Sequence, residues 1–456
     1  MSEQVEIAIV GAGPGGLSAA LVAARAGAHV LLIDHYRQVG GQYFRQPVLP
    51  VSLTTAQRQG AALRQQVLEA GVKIYTDTVV WGIFQDRVLG LYSPKGITYV
   101  QAQVIILATG AYDRPIAFPG WTLPGVMTAG AVQTLLKEQR LVPGQRFLLT
   151  GTGPLQLVLA AELVRAGAKV VAVLEANRFL ARVLRYTDAL WGQWGRLGEA
   201  SRSWLTLQLQ RVPYRMGWGI VSVEGARQVE RATIAPLDAQ GYPIAGREEK
   251  LECDTVALGY GFIPFNTLAR LLGVQHVWRP ELGGEVPIRD AHLQTTVSQV
   301  YAVGDCAGIG GARLAQLEGQ VAGYAAAIHL GYRPTTDLAA LNKAVEHERR
   351  FQKMYHALFT PPPGVYALSH DDTVICRCEE ITQGEIRRAI ASGAHTTNEV
   401  KLLTRAGMGN CQGRMCAHLI ARWVAHETGR SLEQVGGLPP RPPLVPIPVA
   451  DLGRTL

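Results

Sequence analysis

The sequence predicts an α/β chain in which a strand, glycine loop, helix and strand occur twice, followed by a small helical domain. Three observations predict this. The stretch "VEIAIVGAGPGGLSAALVAARAGAHVLLID" returns with an offset of 140 residues as "FLLTGTGPLQLVLAAELVRAGAKVVAVLE". Four of the six cysteines sit in "CRCEE" and "CQGRMC", near the C-terminal end. The segment holding them is punctuated by helix caps and stops. With 456 residues, 48% of them hydrophobic, there is room for two or three globular domains.

In the first unit, Val5 to Val10 reads as a buried strand stopped by glycine. Gly11, Gly13 and Gly16 complete G-x-G-x-x-G. The first glycine permits the tight turn, the second lets backbone approach a pyrophosphate, and the third lets the helix pack on the strand. The helix starts at this loop, so its first N–H groups face the phosphates. It ends at Gly27, and a second strand, Val30 to Ile33, delivers Asp34 where a ribose needs an acceptor. Strand, loop, helix, strand and acid in order predict a Rossmann-like dinucleotide-binding domain.

In the copy, Gly151 answers Gly11, Gly153 answers Gly13, and Glu175 ends the second strand. Gln156 stands where the third glycine belongs. A side chain there pushes helix from strand, so NAD(P) binding is not favoured. After Glu175 the chain runs through a Trp- and Arg-rich excursion at 176–218, containing Trp191, Trp194, Trp204 and Trp218. Tryptophan with arginine is the composition of interface hot spots, and also of a helical lid packed on its own domain.

The prolines Pro361, Pro362 and Pro363 break a helical region at 335–358. Beyond them, Thr382 with Glu385 and Thr396 with Glu399 have the capping-box pattern, and Gly393 and Gly407 sit where helices should stop. Cys376 and Cys378 enter the first helix of this segment, and Cys411 and Cys416 flank the start of the last. All four thiols can gather near helix N-termini, where backbone N–H groups favour thiolate. Arg377, Arg414, Lys401 and Arg405 can add positive charge. In a reducing compartment such a group holds metal rather than disulfides. Spacing leaves iron–sulfur and zinc open, although the C-x2-C knuckles usual for structural zinc are absent. Cys253 is expected to be a core thiol, and so is Cys306, although it follows Asp305.

The 44 basic residues exceed the 36 acidic ones, for a net charge of +8. No basic run accompanies the excess, so nucleic acid is not expected. No apolar run reaches the length of a membrane helix, and no secretory leader is visible. The expected setting is the cytoplasm, with association at the inner face of the membrane left open.

Later motifs resemble thioredoxin-reductase-like flavoproteins. Gly40, Gly41 and Gln42 in "VGGQYFRQ" resemble the isoalloxazine-side loop. Ala108, Thr109 and Gly110 resemble the segment crossing between the flavin and nicotinamide domains. Gly304 and Asp305, with Gly311 and Ala312 opening the next helix, resemble the part that holds the ribityl or pyrophosphate of FAD. The resemblance adds Pro14, Gly15, His35 and Val80 to the FAD contacts. The fold it implies is that of the pyridine nucleotide-disulfide oxidoreductases: two Rossmann-like dinucleotide-binding domains, one inserted in the other. The FAD domain would comprise residues 1–112 and 280–335, and the NAD(P)-binding-like domain 113–279. The redox-active cysteine pair of disulfide reductases is missing.

The cysteine segment, 366–430, resembles the [2Fe–2S] domain of bacterioferritin-associated ferredoxin, with the longer C-x4-C spacing as a departure. Residues 336–365 would be a connector and Pro linker, and 431–456 a Pro-rich tail. "GAGPGG", "ATGAYDRP", "GTGPLQL", "VGDCAG" and this domain together resemble the FAD-containing α subunits of heteromeric amino-acid dehydrogenases. That group comprises opine oxidases, hydroxyproline dehydrogenases and hydrogen cyanide synthase. The resemblance implies FAD, a [2Fe–2S] cluster on Cys376, Cys378, Cys411 and Cys416, and a β-subunit flavoprotein of the glycine/sarcosine-oxidase type. In some relatives an FMN lies at the subunit interface. It implies electron relay to a carrier or quinone, with no catalytic acid or base in this chain. Arg114 and the Trp-rich excursion are the candidates for the partner interface. The alternative is a stand-alone NAD(P)H-dependent flavin/iron–sulfur reductase.

Overall fold

A computed structural model describes residues 3–452, so the ends of the expected FAD domain and of the Pro-rich tail lie outside the described residues. Strand β1 (Glu3–Val10) leads into helix α1 (Pro14–Arg25) and strand β2 (Val30–Ile33). The long strand β3 (Gly96–Leu107) completes the first glycine-loop unit. Its copy is β4 (Arg146–Gly151), α2 (Pro154–Arg165) and β5 (Lys169–Glu175). The excursion forms helix α3 (Trp194–Leu209), and β6 (Thr255–Gly259) follows. Then come β7 (Val300–Ala302), α4 (Ala312–His329) and α5 (Leu338–Phe359). The cysteine segment carries α6 (Gln383–Ala391), α7 (Thr397–Thr404) and α8 (Ala417–Thr428). No helix among the described residues is long and apolar enough to cross a membrane.

The chain divides into two compact units. The first comprises the residues up to Tyr112, Ile263–Gln352 and the segment from Pro439. Its seven-stranded sheet has β1 at the centre, parallel to β2 and to β3. The C-terminal half of β3 is also parallel to β7. These strands are near-continuous apolar runs because both faces are covered: Ile7, Ile9, Leu32 and Ile106 pack on one side, and Ala8, Leu31, Ile33 and Ile105 on the other. Helices α1 and α4 touch backbone to backbone. A Cβ on Gly319 would stand 2.1 Å from the Gly15 carbonyl oxygen, and one on Gly323 2.4 Å from that of Ala19. This contact holds the N-terminus of α4 beside the first glycine loop.

The second unit comprises Asp113–Phe262 and Lys353–Leu438. Pro361–Pro363 therefore lie inside this unit. The five-stranded parallel sheet runs in the order Tyr214–Met216, β5, β4, β6, Val126–Thr128. One hydrophobic cluster joins Ile116, Phe118, Trp121 and Tyr260 to Ile375, Ile386, Val400, Ile420 and Val424. The three cysteine-segment helices thus share a core with the nucleotide-like fold, which adds to the smaller share of surface that so short a segment buries by itself. Both expected capping boxes form, Thr382 with Glu385 and Thr396 with Glu399.

Candidate functional site

The first glycine loop is shaped by contacts that exclude any side chain. Gly11 has φ +105, and a Cβ there would lie 2.3 Å from the Ala108 carbonyl oxygen. One on Gly16 would lie 1.8 Å from the Gly11 oxygen. At Gly13 the space is open, with Gly41 Cα at 3.8 Å as the only neighbour within 4 Å of such a Cβ. That pattern leaves backbone accessible where a pyrophosphate would approach. Helix α1 begins with Pro14 and has no side-chain cap on its N-terminus, so the first-turn N–H groups of Gly15 and Gly16 keep no side-chain partner.

Asp34, at the end of β2, is buried. Its Oδ2 accepts from the Ala12 N–H at 2.6 Å and its Oδ1 from the Tyr36 N–H at 2.8 Å. The carboxylate therefore ties the loop to the strand end, in addition to standing where a ribose acceptor is expected. The His35 side chain is 58% exposed, and Gln42 Nε2 donates to the Tyr36 hydroxyl at 3.2 Å. Val80 lies in the core of the unit, opposite Leu91 in a hairpin, so only its backbone is free to meet a ligand. Thr109 Oγ1 donates to the Phe265 carbonyl at 2.5 Å.

Asp305 follows Gly304, whose φ is +68. Its Oδ1 accepts from the N–H groups of Gly310 and Gly311 at 2.9 and 2.8 Å. Burial raises the Asp305 pKa, against the pull of those two donors. Gly311 caps α4 without a side-chain hydrogen bond, so Ala312 opens a second helix N-terminus in the same unit. Beneath it the buried Glu318 accepts from the Gly304 N–H at 2.9 Å and pairs with Arg289 at 3.0 Å and Arg349 at 3.3 Å. Burial would raise its pKa, but the Arg289 and Arg349 charges and the Gly304 donor outweigh that and hold it below the usual carboxylate value. A glycine cradle, two open helix N-termini and two strand-end acids fit the pyrophosphate and ribose of FAD. The Cys306 thiol is buried, with the Val303 and Leu107 carbonyls as alternative acceptors at 3.2 and 3.4 Å.

The second loop is built differently. Gln156 is fully buried and turns inward, where its Nε2 donates to the Thr150 carbonyl at 3.1 Å. It fills the space a third glycine would leave between β4 and β6, since a Cβ on Gly259 would stand 2.0 Å from Gln156 Nε2. Gly153 has φ +103, and its open side faces the end of α5. A Cβ there would meet the Tyr355 hydroxyl at 2.9 Å. Asn177 Nδ2 bridges Thr152 Oγ1 at 2.7 Å and the Thr360 carbonyl at 3.1 Å. Phe359 packs on Phe179, with ring centroids 4.9 Å apart. The chain's own Tyr355, Phe359 and Thr360 therefore lie over the side of Gly153 that a dinucleotide would approach. Sequence reasoning found Gln156 but missed Tyr355, which lies about 200 residues away along the chain. Glu175 is buried with acceptor bonds from Gly153 and Asn177 N–H, and burial pushes its pKa up to about 7.

The four cysteines come together in the second unit as two pairs, Cys376 with Cys416 and Cys378 with Cys411. Among the described residues no three potential ligands converge on one ion. Two two-thiol groups suit a binuclear centre better than a single zinc. Cys376 ends a short strand, Val374–Cys376, and Cys378 lies in the turn after it. Only Cys416 sits at a helix N-terminus, as the N-cap of α8. The expectation that helix N-termini surround all four thiols is thus corrected: loop amides do this. The Gly407 N–H points to Cys376 Sγ at 3.4 Å, and those of Glu379 and Cys378 join it. The Cys416 thiol and these amides hold the Cys376 pKa well below its usual value. Cys376 and Cys416 are buried and Cys378 is exposed, so one edge of the group reaches solvent. Of the expected cations, Arg405 is neutralised by Glu379 at 3.2 Å, and Arg377 lies 5.4 Å over the Trp121 ring.

Arg114, expected at a partner interface, is instead 8% exposed and donates to the Phe262 carbonyl at 2.9 Å. In the excursion, Trp191, Trp194 and Trp204 are 72%, 62% and 41% exposed, while Trp218 is half-buried under Arg215.

Comparison with known proteins finds two families along the chain. Residues 5–319 match the family described as pyridine nucleotide-disulphide oxidoreductase, and residues 374–426 the BFD-like [2Fe-2S] binding domain. The A subunit of opine oxidase from Rhizobium meliloti (strain 1021) is 35% identical over 97% of this chain and 97% of its own length. The HcnB subunit of hydrogen cyanide synthase from Pseudomonas aeruginosa is 32% identical over 96% of each. In fold, the chain is similar to L-proline dehydrogenase from P. horikoshii, with a TM-score of 0.73 at 20% identity, over 99% of this chain and 80% of that one.

Proposed function

The chain belongs to the pyridine nucleotide-disulphide oxidoreductase family, alongside the A subunits of opine oxidase, and from this we propose that it is the electron-transferring α subunit of a heteromeric FAD-dependent dehydrogenase or oxidase. The substrates are amino acids or related secondary amines: opines, hydroxyproline or glycine. FAD exchanges electrons in pairs and a [2Fe–2S] centre singly, the chemistry a relay needs.

One observation carries the reading. A nucleotide cradle and a four-thiol site occur in one chain whose second dinucleotide loop is closed by Tyr355. In the first unit, the Gly11–Gly16 loop and the N-termini of α1 and α4 bind and orient the pyrophosphate. Asp34 fixes the loop, and Asp305 holds the turn before α4. In the second unit, the Gly407, Cys378 and Glu379 amides stabilise thiolate at Cys376. No acid/base group for amino-acid oxidation is assigned to this chain. That step belongs to a β-subunit flavoprotein of the glycine/sarcosine-oxidase type, and a carrier or quinone takes the electrons. Exposed Trp191, Trp194 and Trp204 support a partner-binding face on the excursion. A stand-alone NAD(P)H reductase is disfavoured by Tyr355 and Gln156.

The test is anaerobic spectroscopy. NADH and NADPH added to the isolated chain should leave its flavin oxidised. Co-produced with a flavoprotein encoded beside it, the chain should bleach with one of the named amino acids. Rapid stoichiometric bleaching of the isolated chain by NADH would overturn the assignment.

A further inference from the structure

We propose that Glu318 is the positioning residue of the flavin site: by holding the Gly304 amide it joins the Gly304–Gly311 turn to the first glycine loop, so that both halves of the pyrophosphate cradle keep one geometry. The inference rests on the FAD reading above and adds to it a residue that acts through the backbone rather than by touching the cofactor.

Glu318 lies in the second turn of α4, and its side chain is 4% exposed. Its backbone is fixed against the helix that follows the first glycine loop. A Cβ on the next residue, Gly319, would stand 2.1 Å from the Gly15 carbonyl oxygen. Its side chain reaches the other half of the cradle. Oε2 accepts from the Gly304 N–H at 2.9 Å and from Arg289 Nη1 at 3.0 Å. Oε1 accepts from Arg289 Nη2 and Arg349 Nη2, each at 3.3 Å. Arg289 Nη1 also donates at 2.7 Å to the carbonyl of Ala302, the last residue of β7. Gly304 follows closely in the chain, so it is located from the strand end through Arg289 and from α4 through Glu318. Its φ is +68, and a Cβ there would stand 2.8 Å from that of Ala315, in the first turn of α4. Arg349 belongs to α5, which grips the same stretch twice more: Gln352 Nε2 donates to the Ile309 carbonyl, and Glu348 pairs with Arg313 at 3.1 Å.

Four N–H donors meet two oxygens, an arrangement that suits a carboxylate. A glutamine would offer one oxygen and turn its own amide N–H towards a guanidinium. Arg289, with a side chain 14% exposed, would then be left buried without its anion. What the cluster fixes is backbone that the pyrophosphate would meet. Asp305 holds the Gly310 and Gly311 amides, and Gly311 opens α4 with no side-chain cap. A helix N-terminus favours an anion only within its first turn, so a shift of the Gly304–Gly311 turn is felt directly in binding. The adenosine ribose end belongs to Asp34, whose carboxylate accepts from Ala12 and Tyr36 rather than from this cluster.

The test is titration of the full chain, stripped of flavin, with FAD in one arm and adenosine monophosphate in the other. Adenosine monophosphate keeps the ribose that Asp34 would meet and lacks the second phosphate and the flavin. Wild type should bind one FAD per chain. Glu318→Gln should weaken FAD about tenfold or more, the loss of a charged hydrogen bond, and leave adenosine monophosphate within about twofold of wild type. The Arg349 side chain is 45% exposed, so its replacement spares the core. Arg349→Met should weaken FAD about threefold, and Arg349→Lys, which keeps the charge, should recover most of that loss. If Glu318→Gln fails to fold, the Arg349 variants decide, and equal FAD affinity in wild type and Arg349→Met then counts against the role. Unchanged FAD affinity in a folded Glu318→Gln, or an equal loss for FAD and adenosine monophosphate, would overturn the inference and leave the FAD reading standing. A wild-type chain that takes up no FAD would overturn that reading, and this inference with it.

Discussion

Gly11 shows how much of the first glycine loop rests on single backbone positions. Its φ of +105 and the Ala108 oxygen 2.3 Å from a Cβ leave no room for alanine. Gly11→Ala should cost on the order of 3 kcal/mol and abolish flavin retention, read as the loss of yellow flavin absorbance after purification. Glu175 makes a prediction in pH. Its pKa rises from 4.5 to about 7 because burial disfavours the carboxylate. Between those values the folded protein keeps a proton that the unfolded chain releases. Its contribution to stability is therefore complete below pH 4.5 and lost as pH rises towards about 7. Glu175→Gln removes that dependence. The stability of Glu175→Gln relative to wild type should grow by about 1–3 kcal/mol between acidic and mildly basic pH, measured by urea unfolding at each pH.

At the scale of elements, the helices around the cysteines show which sequence signals carry. Thr382 Oγ1 accepts from the Glu385 N–H at 3.3 Å, and the Glu385 carboxylate accepts from the Thr382 N–H at 2.8 Å. Thr382→Ala should destabilise the second unit by about 1 kcal/mol in denaturant unfolding, since it removes one half of this exchange. These caps were legible because both partners lie within three residues. The first strand–loop–helix unit was legible for the same reason: periodicity, glycine spacing and the acid are local. The cover on the second loop was not legible. Gln156 signals an altered loop, but its direction, inward between β4 and β6, depends on the room left by Gly151 and Gly259. Tyr355 reaches Gly153 only through the path of α5.

For the whole molecule, the second unit shows how the cysteine segment is held. A Pro-rich break suggests a separate cysteine domain, yet a shared core runs across it. Trp121 is the joint. It is 1% exposed, and its Nε1 donates at 2.6 Å to the Val374 carbonyl, two residues before Cys376. Trp121→Phe keeps an aromatic ring but strands that carbonyl, which should cost about 1–3 kcal/mol. Calorimetry should show the cysteine segment and the nucleotide-like fold melting in one transition, displaced to lower temperature in the variant. Two separate transitions in the wild-type second unit would contradict the shared core.

Sequence alone determined the α/β class, the first strand–loop–helix unit and the capped helices around the cysteines, because each is set by short-range geometry: backbone angles, glycine spacing and caps. Only the tertiary structure decided that the second loop is closed by Tyr355, that Arg114 faces inward, and that the cysteine helices share a core with the nucleotide-like fold. Those outcomes depend on contacts between residues hundreds of positions apart. Such contacts form where apolar surface is left uncovered, and no local pattern records which distant segment will cover it.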